Sequence, residues 1–211
     1  MWGIFMEEIM RQRQIDRLYH FTQAENLENI FRYGIVPRTT LDRRRIQSRY
    51  NDDYRYDDCK DAVCTSIEFP NYKMFYKLRQ DNPETDWAVL RLNAHILCDF
   101  ECAFCWTNAG DATMYNEPLE QRMGTKAFLE LFGNKPGYPQ RENLNINDWY
   151  PTNPQAEVLV FGIIPIEYIQ SVYFEEHITM QKYQDVIPKE VSASITPNVF
   201  RPRTDWEAWK C

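Results

Sequence analysis

The sequence predicts a mixed α+β fold, on three observations. EVLVFGII (157–164) is a near-continuous apolar run closed by Pro165, the pattern of a central strand covered on both faces. Four further strand-length runs, DRLYHF (16–21), DAVCTSI (61–67), WAVLRLNA (87–94) and YIQSVYF (168–174), are separated by segments of helical character. Strands and helices follow one another without strict alternation, which suggests a mixed α+β domain.

The elements follow in order. MWGIFMEEIMRQRQ is expected to form a short amphipathic helix with Ile4, Phe5 and Ile9 on one side; it lacks the small-residue cleavage site of a signal peptide. After the first strand, Thr22 begins T-Q-A-E, a capping box with Glu25. The helix it opens carries Leu27, Ile30 and Phe31 on one face and stops at Gly34. Residues 35–60 are polar and rich in arginine and tyrosine, so a lid or substrate-binding loop is expected there. Tyr72 to Gln80, after Pro70, reads as a helix. A further helix is expected within 116–132, and another around 177–186 before a final extended segment.

The 211 residues suit one domain spanning 1–211, and 44% hydrophobic content supplies a normal core. No apolar stretch is long enough for a transmembrane helix, so no membrane partner is expected, and the lack of an export signal points to a cytoplasmic location. Six cysteines in a chain of this length do not suggest a disulfide scaffold. A net charge of −7 argues against a surface that grips nucleic acid everywhere. It leaves room for a local basic groove, and the stretch from Arg38 to Arg55, with Tyr50 and Tyr54 among six arginines, is the candidate.

Three constellations bear chemistry. Gln155 and Glu157 stand where a polar loop enters the apolar strand. Two apart on an extended chain, they share a face and suit a substrate-facing pair, although a charged strand start at a solvated edge reads the same way. His20 ends a strand just before a helix start; it suits a ligand contact or a core or capping role. Cys98, Cys102 and Cys105 have the x3–x2 spacing of a radical-SAM iron–sulfur motif. The chain is short for that family and lacks its glycine-rich stretch. A zinc site would need Cys59, Cys64 or His95 as a fourth ligand, so buried thiols without metal are the expectation.

Taken together, LYHFTQAENLENIFRYGIVP (18–37), RYNDDYRYDDCKDAVCTSIEFPNYKMFYK (49–77), CAFCWTNAG (102–110) and YPTNPQAEVLVFGIIPIEYIQSVYF (150–174) resemble the DarT family of toxin ADP-ribosyltransferases. The last stretch is the most specific. The resemblance implies an ADP-ribosyltransferase-like fold, with a mostly antiparallel core split into two small sheets and flanked by helices. It implies NAD+ as co-substrate and Glu157 as the catalytic carboxylate, assisted by Arg49. It places His20, Thr22, Asn26, Ser66 and Tyr76 on the NAD+ side, and Gln155, Arg45, Tyr50, Tyr54 and Tyr150 on the acceptor side. The implied acceptor is a base of single-stranded DNA or RNA, DNA favoured, with protein side chains as an alternative. An inactive NAD+- or nucleic-acid-binding module is the reading of another class. An antitoxin partner, often a macrodomain, and a role in phage defence follow from the resemblance too. The chain departs from the family at NDDYRYDDCKDA, where a glycine-rich turn is usual, and in its acidic balance.

Overall fold

The computed structural model describes residues 2–50 and 59–210. In chain order the elements are α1 (Trp2–Arg13), β1 (Arg17–Gln23), α2 (Leu27–Tyr33), α3 (Arg38–Arg44), β2 (Ala62–Ile67), α4 (Tyr72–Asp81), β3 (Trp87–Asn93), α5 (Ile96–Asp99), β4 (Cys102–Cys105), α6 (Ala112–Tyr115), α7 (Gly124–Glu130), β5 (Glu157–Phe161), β6 (Ile169–Phe174), α8 (His177–Tyr183) and β7 (Ser192–Ile195). The strands form one sheet in the order β4-β5-β2-β1-β3-β6-β7. All pairs are antiparallel except β6–β7.

The two small sheets expected from the resemblance are halves of this one. They join through two residue pairs, Leu18↔Ile67 and Tyr19↔Ser66. Beyond Tyr19 the register between β1 and β2 ends, and residues of both strands line a common cavity instead. A sheet that keeps pairing buries its backbone; one that parts leaves room for a ligand between its strands.

The apolar run at 157–164 has a clear cause. β5 lies between β4 and β2, so neither edge is open. Val158 and Val160 face the main core with Cys102, Phe104 and Phe128, while Leu159 faces a second cluster with Ala103, Cys105 and Met114. With both faces covered, apolar side chains are needed at every position. The same alternation puts Cys102 and Cys105 on opposite faces of β4, so the three thiols spaced like an iron–sulfur motif do not converge. Burial pushes the Cys102 thiol up to about 12 and Cys98 up to about 11, with the neighbouring Glu7 and Asp99 adding to the latter.

The structure departs from the sequence expectations in several elements. Met6 and Met10, four apart, are the buried face of α1, and Phe5 is 64% exposed. Thr22 does not cap a helix: it is still in β1, and a 3-10 turn (Ala24–Asn26) intervenes before α2. The expected loop at 35–60 contains α3, which has no buried residue and therefore no apolar periodicity to reveal it. The expected single helix within 116–132 is a 3-10 turn (Leu119–Arg122) followed by α7. Met123 is extended and bridges to Ala103, and Gly124 has φ +95°, which breaks the helix.

Gly34 stops α2 as expected, and its reason is double. Its φ is +83°, and a Cβ there would lie 2.5 Å from the Ile164 carbonyl oxygen, because Ile35 bridges to Ile164 next door. Gly34→Ala is expected to destabilise the fold by about 3 kcal/mol or more, as backbone strain and overpacking add. Urea unfolding checks this; an alanine that stabilises, as at glycines with ordinary φ, would show that the close approach is not there.

Candidate active site

The cavity opens where β1 and β2 part. Its walls come from β1 (His20, Thr22), the α2 region (Asn26) and the 37–50 segment (Arg38, Arg49, Tyr50), and Ser66, Asn108 and Glu157 also line it.

Glu157, the first residue of β5, is buried at this cavity. Among the described residues, three N–H donors hold its carboxylate: Asn71 Nδ2 to Oε1 at 2.9 Å, Asn108 Nδ2 to Oε1 at 3.1 Å, and the Ala109 backbone N–H to Oε2 at 2.9 Å. A buried carboxylate without such donors would be strongly unfavourable; with them the bonds are charge-assisted and fix its orientation. Asn71 is itself fully buried and caps α4, its Oδ1 accepting from Met74 N–H at 3.2 Å. Its own N–H donates to Ser66 Oγ at 3.2 Å. One side chain thus ties a helix start to the carboxylate.

His20 sits where the two strands separate. Its Nδ1 lies 2.8 Å from the Cys64 carbonyl oxygen. A carbonyl only accepts, so Nδ1 carries the proton, and ring orientation and tautomer are set together.

The 47–50 segment is strapped down by three side chains spaced three apart. Gln23 Nε2 donates to the Tyr50 carbonyl at 3.2 Å, and Asn29 Nδ2 to the Gln47 carbonyl at 2.7 Å. Between them, Asn26 Nδ2 donates to the Arg49 carbonyl at 2.8 Å and Asn26 Oδ1 accepts the Arg49 N–H at 2.8 Å. Asn26 also donates to Thr22 Oγ1 at 3.0 Å. The strapped segment brings Arg49 to the cavity, and Arg38, at the start of α3, lines it too. The Arg38 guanidinium lies 4.2 Å from the centre of the Tyr50 ring. The Tyr50 hydroxyl donates to Asp42 at 2.6 Å, and burial, then this bond, raises its pKa. Arg49 pairs with Glu25 at 3.2 Å; both side chains are exposed, and such a pair is worth at most about 1 kcal/mol, so an anionic ligand displaces it easily.

A family model for DarT, the ssDNA thymidine ADP-ribosyltransferase, matches residues 19–206. The chain belongs to the DarT family. Solved structures share its fold at low identity. Thermosipho africanus DarTG in complex with ADP-ribose superimposes with a TM-score of 0.61 at 16% identity, covering 87% of this chain and 50% of that one. Thermus sp. 2.9 DarT in complex with NAD+ gives 0.57 at 14% identity, covering 88% and 97%. The Thermus protein in complex with ADP-ribosylated ssDNA gives 0.53 at 14% identity, covering 89% and 97%. The chain therefore spans half the length of the T. africanus chain and nearly all of the Thermus one. No curated protein matches the sequence.

Of the residues that the DarT resemblance singled out, the structure brings Glu157, His20, Thr22, Asn26, Ser66, Arg49 and Tyr50 to one cavity. Four others do not line it. Gln155 is in a turn, its N–H donating to Asn153 Oδ1 at 2.9 Å, and the extended chain begins only at Glu157. The two-residue alternation that paired Gln155 with Glu157 therefore does not apply. Tyr76 is 57% exposed: α4 turns Met74 to the cavity and Phe75 to the core, which leaves Tyr76 to solvent. Arg45 ends α3 in a left-handed conformation and is exposed. Tyr150 packs edge-on against Phe69, with the Arg203 guanidinium over its ring. Tyr54 lies outside the described residues. Asn71 and Asn108 are site residues that the sequence reading missed, and Arg38 was read only as part of the candidate basic stretch, with no role of its own. The Pro70-Asn71 start of α4 was a legible cap signal, but its reach to a carboxylate 86 positions on was not.

Among the described residues one group could hold a metal ion, Glu7, His95 and Cys98, with donor atoms within 4.8 Å of one another. None of the three lines the cavity. Among the described residues no helix is long and apolar enough to cross a membrane.

Proposed function

We propose that this chain is a single catalytic domain that transfers ADP-ribose from NAD+ to a base of single-stranded DNA, with Glu157 as its catalytic carboxylate. One observation carries the reading: a buried carboxylate, held by N–H donors from Asn71, Asn108 and Ala109, lines the same cavity as His20, Arg38 and Arg49. Membership of a family of ssDNA thymidine ADP-ribosyltransferases supports it, as do the Thermus complexes with NAD+ and with ADP-ribosylated ssDNA.

The chemistry follows from the residues. The bond from the ribose C1′ to the nicotinamide nitrogen breaks, and its electron pair leaves with nicotinamide. The ribose becomes oxocarbenium-like, and the Glu157 carboxylate stabilises that charge. A ring nitrogen of the acceptor base bonds to C1′ and loses its proton to Glu157 as general base. Arg49, freed from Glu25, and Arg38 pair with the pyrophosphate. His20, in its fixed tautomer, contacts the ribose, and Ser66 underlies the nicotinamide. Thr22 and Asn26 act on the adenosine side through the strapped 48–49 backbone. Gln155, Tyr150 and Tyr54 are assigned to the acceptor strand, where aromatic stacking holds unpaired bases. A base exposed in a single strand offers the nitrogen that pairing hides.

An enzyme that marks bases poisons its own host. The proposal therefore includes an antitoxin partner, such as a macrodomain that removes the mark, a cytoplasmic site of action and a role in phage defence.

The test is to incubate the protein and a Glu157→Ala variant with NAD+ and single-stranded DNA or RNA oligonucleotides, then weigh the oligonucleotides. One added ADP-ribose on thymidine-containing DNA, absent with the variant, is the expected result. Label appearing on RNA or protein instead would move the acceptor, and transfer by the variant would remove Glu157 from its role. Asn26→Ala is expected to loosen the 48–49 segment and raise KM for NAD+ about tenfold, the loss of one to two net hydrogen bonds, with little change in kcat. Steady-state kinetics in NAD+ read this directly; an unchanged KM would separate the strap from cofactor binding.

A further inference from the structure

Arg203 and Asp205 form an ion pair whose side chains are 2% and 1% exposed. The pair is two-pronged, with Nε to Oδ1 at 2.7 Å and Nη2 to Oδ2 at 2.6 Å. The same guanidinium donates to the Pro151 carbonyl at 2.8 Å and the Thr152 carbonyl at 2.9 Å. Asp205 Oδ2 also accepts the Trp209 indole N–H at 3.0 Å. A buried ion pair adds little stability over apolar residues of the same size, because desolvating the charges offsets their attraction. What a fully bonded pair does supply is fixed geometry.

The geometry it fixes leads to Glu157 along two paths. The first is the chain itself. From the held carbonyls of 151 and 152, the backbone turns through Asn153, whose carbonyl accepts the Ala156 N–H at 3.1 Å, and the next residue is Glu157. Arg141 grips the same stretch from its own side, donating to the Tyr150 carbonyl at 2.7 Å and to Thr152 Oγ1 at 3.2 Å. The second path runs through the C-terminal turn. Lys73 Nζ donates to the Trp209 carbonyl at 2.8 Å. Lys73 lies in the first turn of α4, two residues after Asn71, whose amide holds Glu157 Oε1. Residues 203–209 therefore tie together the two segments whose side chains meet at the carboxylate.

We propose that Arg203 and Asp205 are positioning residues for Glu157: the C-terminal turn sets the 151–156 turn against the start of α4 and so aims the carboxylate at the reacting ribose. This rests on the reading of Glu157 as the catalytic carboxylate. The clamp's hydrogen bonds go to 151–152, Trp209 and, through it, Lys73. The β1 and 37–50 walls of the cavity take none of these bonds. A loosened clamp therefore lowers kcat and leaves KM for NAD+ in place.

The experiment compares Asp205→Asn, Trp209→Phe, Lys73→Met and Glu157→Ala with the parent enzyme, using NAD+ and a thymidine-containing single-stranded oligonucleotide. Rates are expressed per folded molecule, from the thermal transition and circular dichroism. Asp205→Asn is expected to lose kcat by about 10- to 100-fold, the cost of a carboxylate displaced by about an ångström, with KM for NAD+ unchanged. Lys73→Met keeps a side chain of similar length, Trp209→Phe keeps a smaller aromatic ring, and each removes one hydrogen bond. Each is expected to lower kcat by about two- to tenfold, and they decide the matter if Asp205→Asn does not fold. A kcat per folded molecule equal to the parent's in these variants, with only the melting temperature lowered, overturns the proposal and leaves a purely structural clamp. An active Glu157→Ala protein overturns the reading of Glu157 itself, which the clamp variants do not test.

Discussion

Glu157→Gln is expected to fold and to transfer ADP-ribose about 10²–10⁴-fold more slowly. The replacement has the same shape, so the loss comes from charge and proton chemistry. Gln cannot carry the negative charge that faces the oxocarbenium-like ribose, and it cannot take the acceptor's proton. It also disturbs the donor set. With its oxygen toward Asn71 and Asn108, its NH2 faces the Ala109 N–H; turned over, it faces two amide donors instead. Either way a donor meets a donor, at a cost of about 1–3 kcal/mol in stability. The interaction lost is made in the transition state, so kcat and kcat/KM fall together while KM for NAD+ holds. Steady-state kinetics with a thymidine oligonucleotide measure this. A variant within about tenfold of the parent would exclude Glu157 as the base.

Asn71 has two jobs, and two substitutions separate them. Asn71→Ala removes the cap of α4, which costs about 0.5–2 kcal/mol, and also the Nδ2 donor on Glu157. Asn71→Ser restores a good cap but is too short, and lacks the amide, to hold the carboxylate. Both variants are expected to lose kcat about tenfold or more, since a carboxylate short of one donor settles in another place. Both are expected to melt earlier, because the buried carboxylate loses a donor, and Asn71→Ala earlier still by the cost of the cap. Thermal unfolding beside kinetics decides it. An Asn71→Ser enzyme with full activity would show that Glu157 keeps its place without the Asn71 amide.

Much of this protein is local and was therefore legible. β5 announces itself because a strand between two others, covered on both faces, needs apolar side chains in succession. Gly34 ends α2 because its φ excludes other residues. The Q-A-E approach to an apolar strand, with the LYHFT stretch, carried the family resemblance and Glu157 with it. α3 went unread because a surface helix with no buried face leaves no periodic trace. Gln155 was paired with Glu157 by a period that holds only in an extended chain, and the chain at 155 turns.

Elements whose cause lies within a few neighbours could be read from the residues alone: central strand, helix stop, and the carboxylate placed at a strand mouth. What surrounds that carboxylate depends on how the folded chain brings distant segments together. Asn71, Asn108 and Ala109 come from 86, 49 and 48 positions away, and the Arg203 clamp reaches back from the C-terminal end. Hydrogen bonds reach only about 3 Å and depend on direction, so they leave no pattern along a chain until the sheet has brought distant segments together.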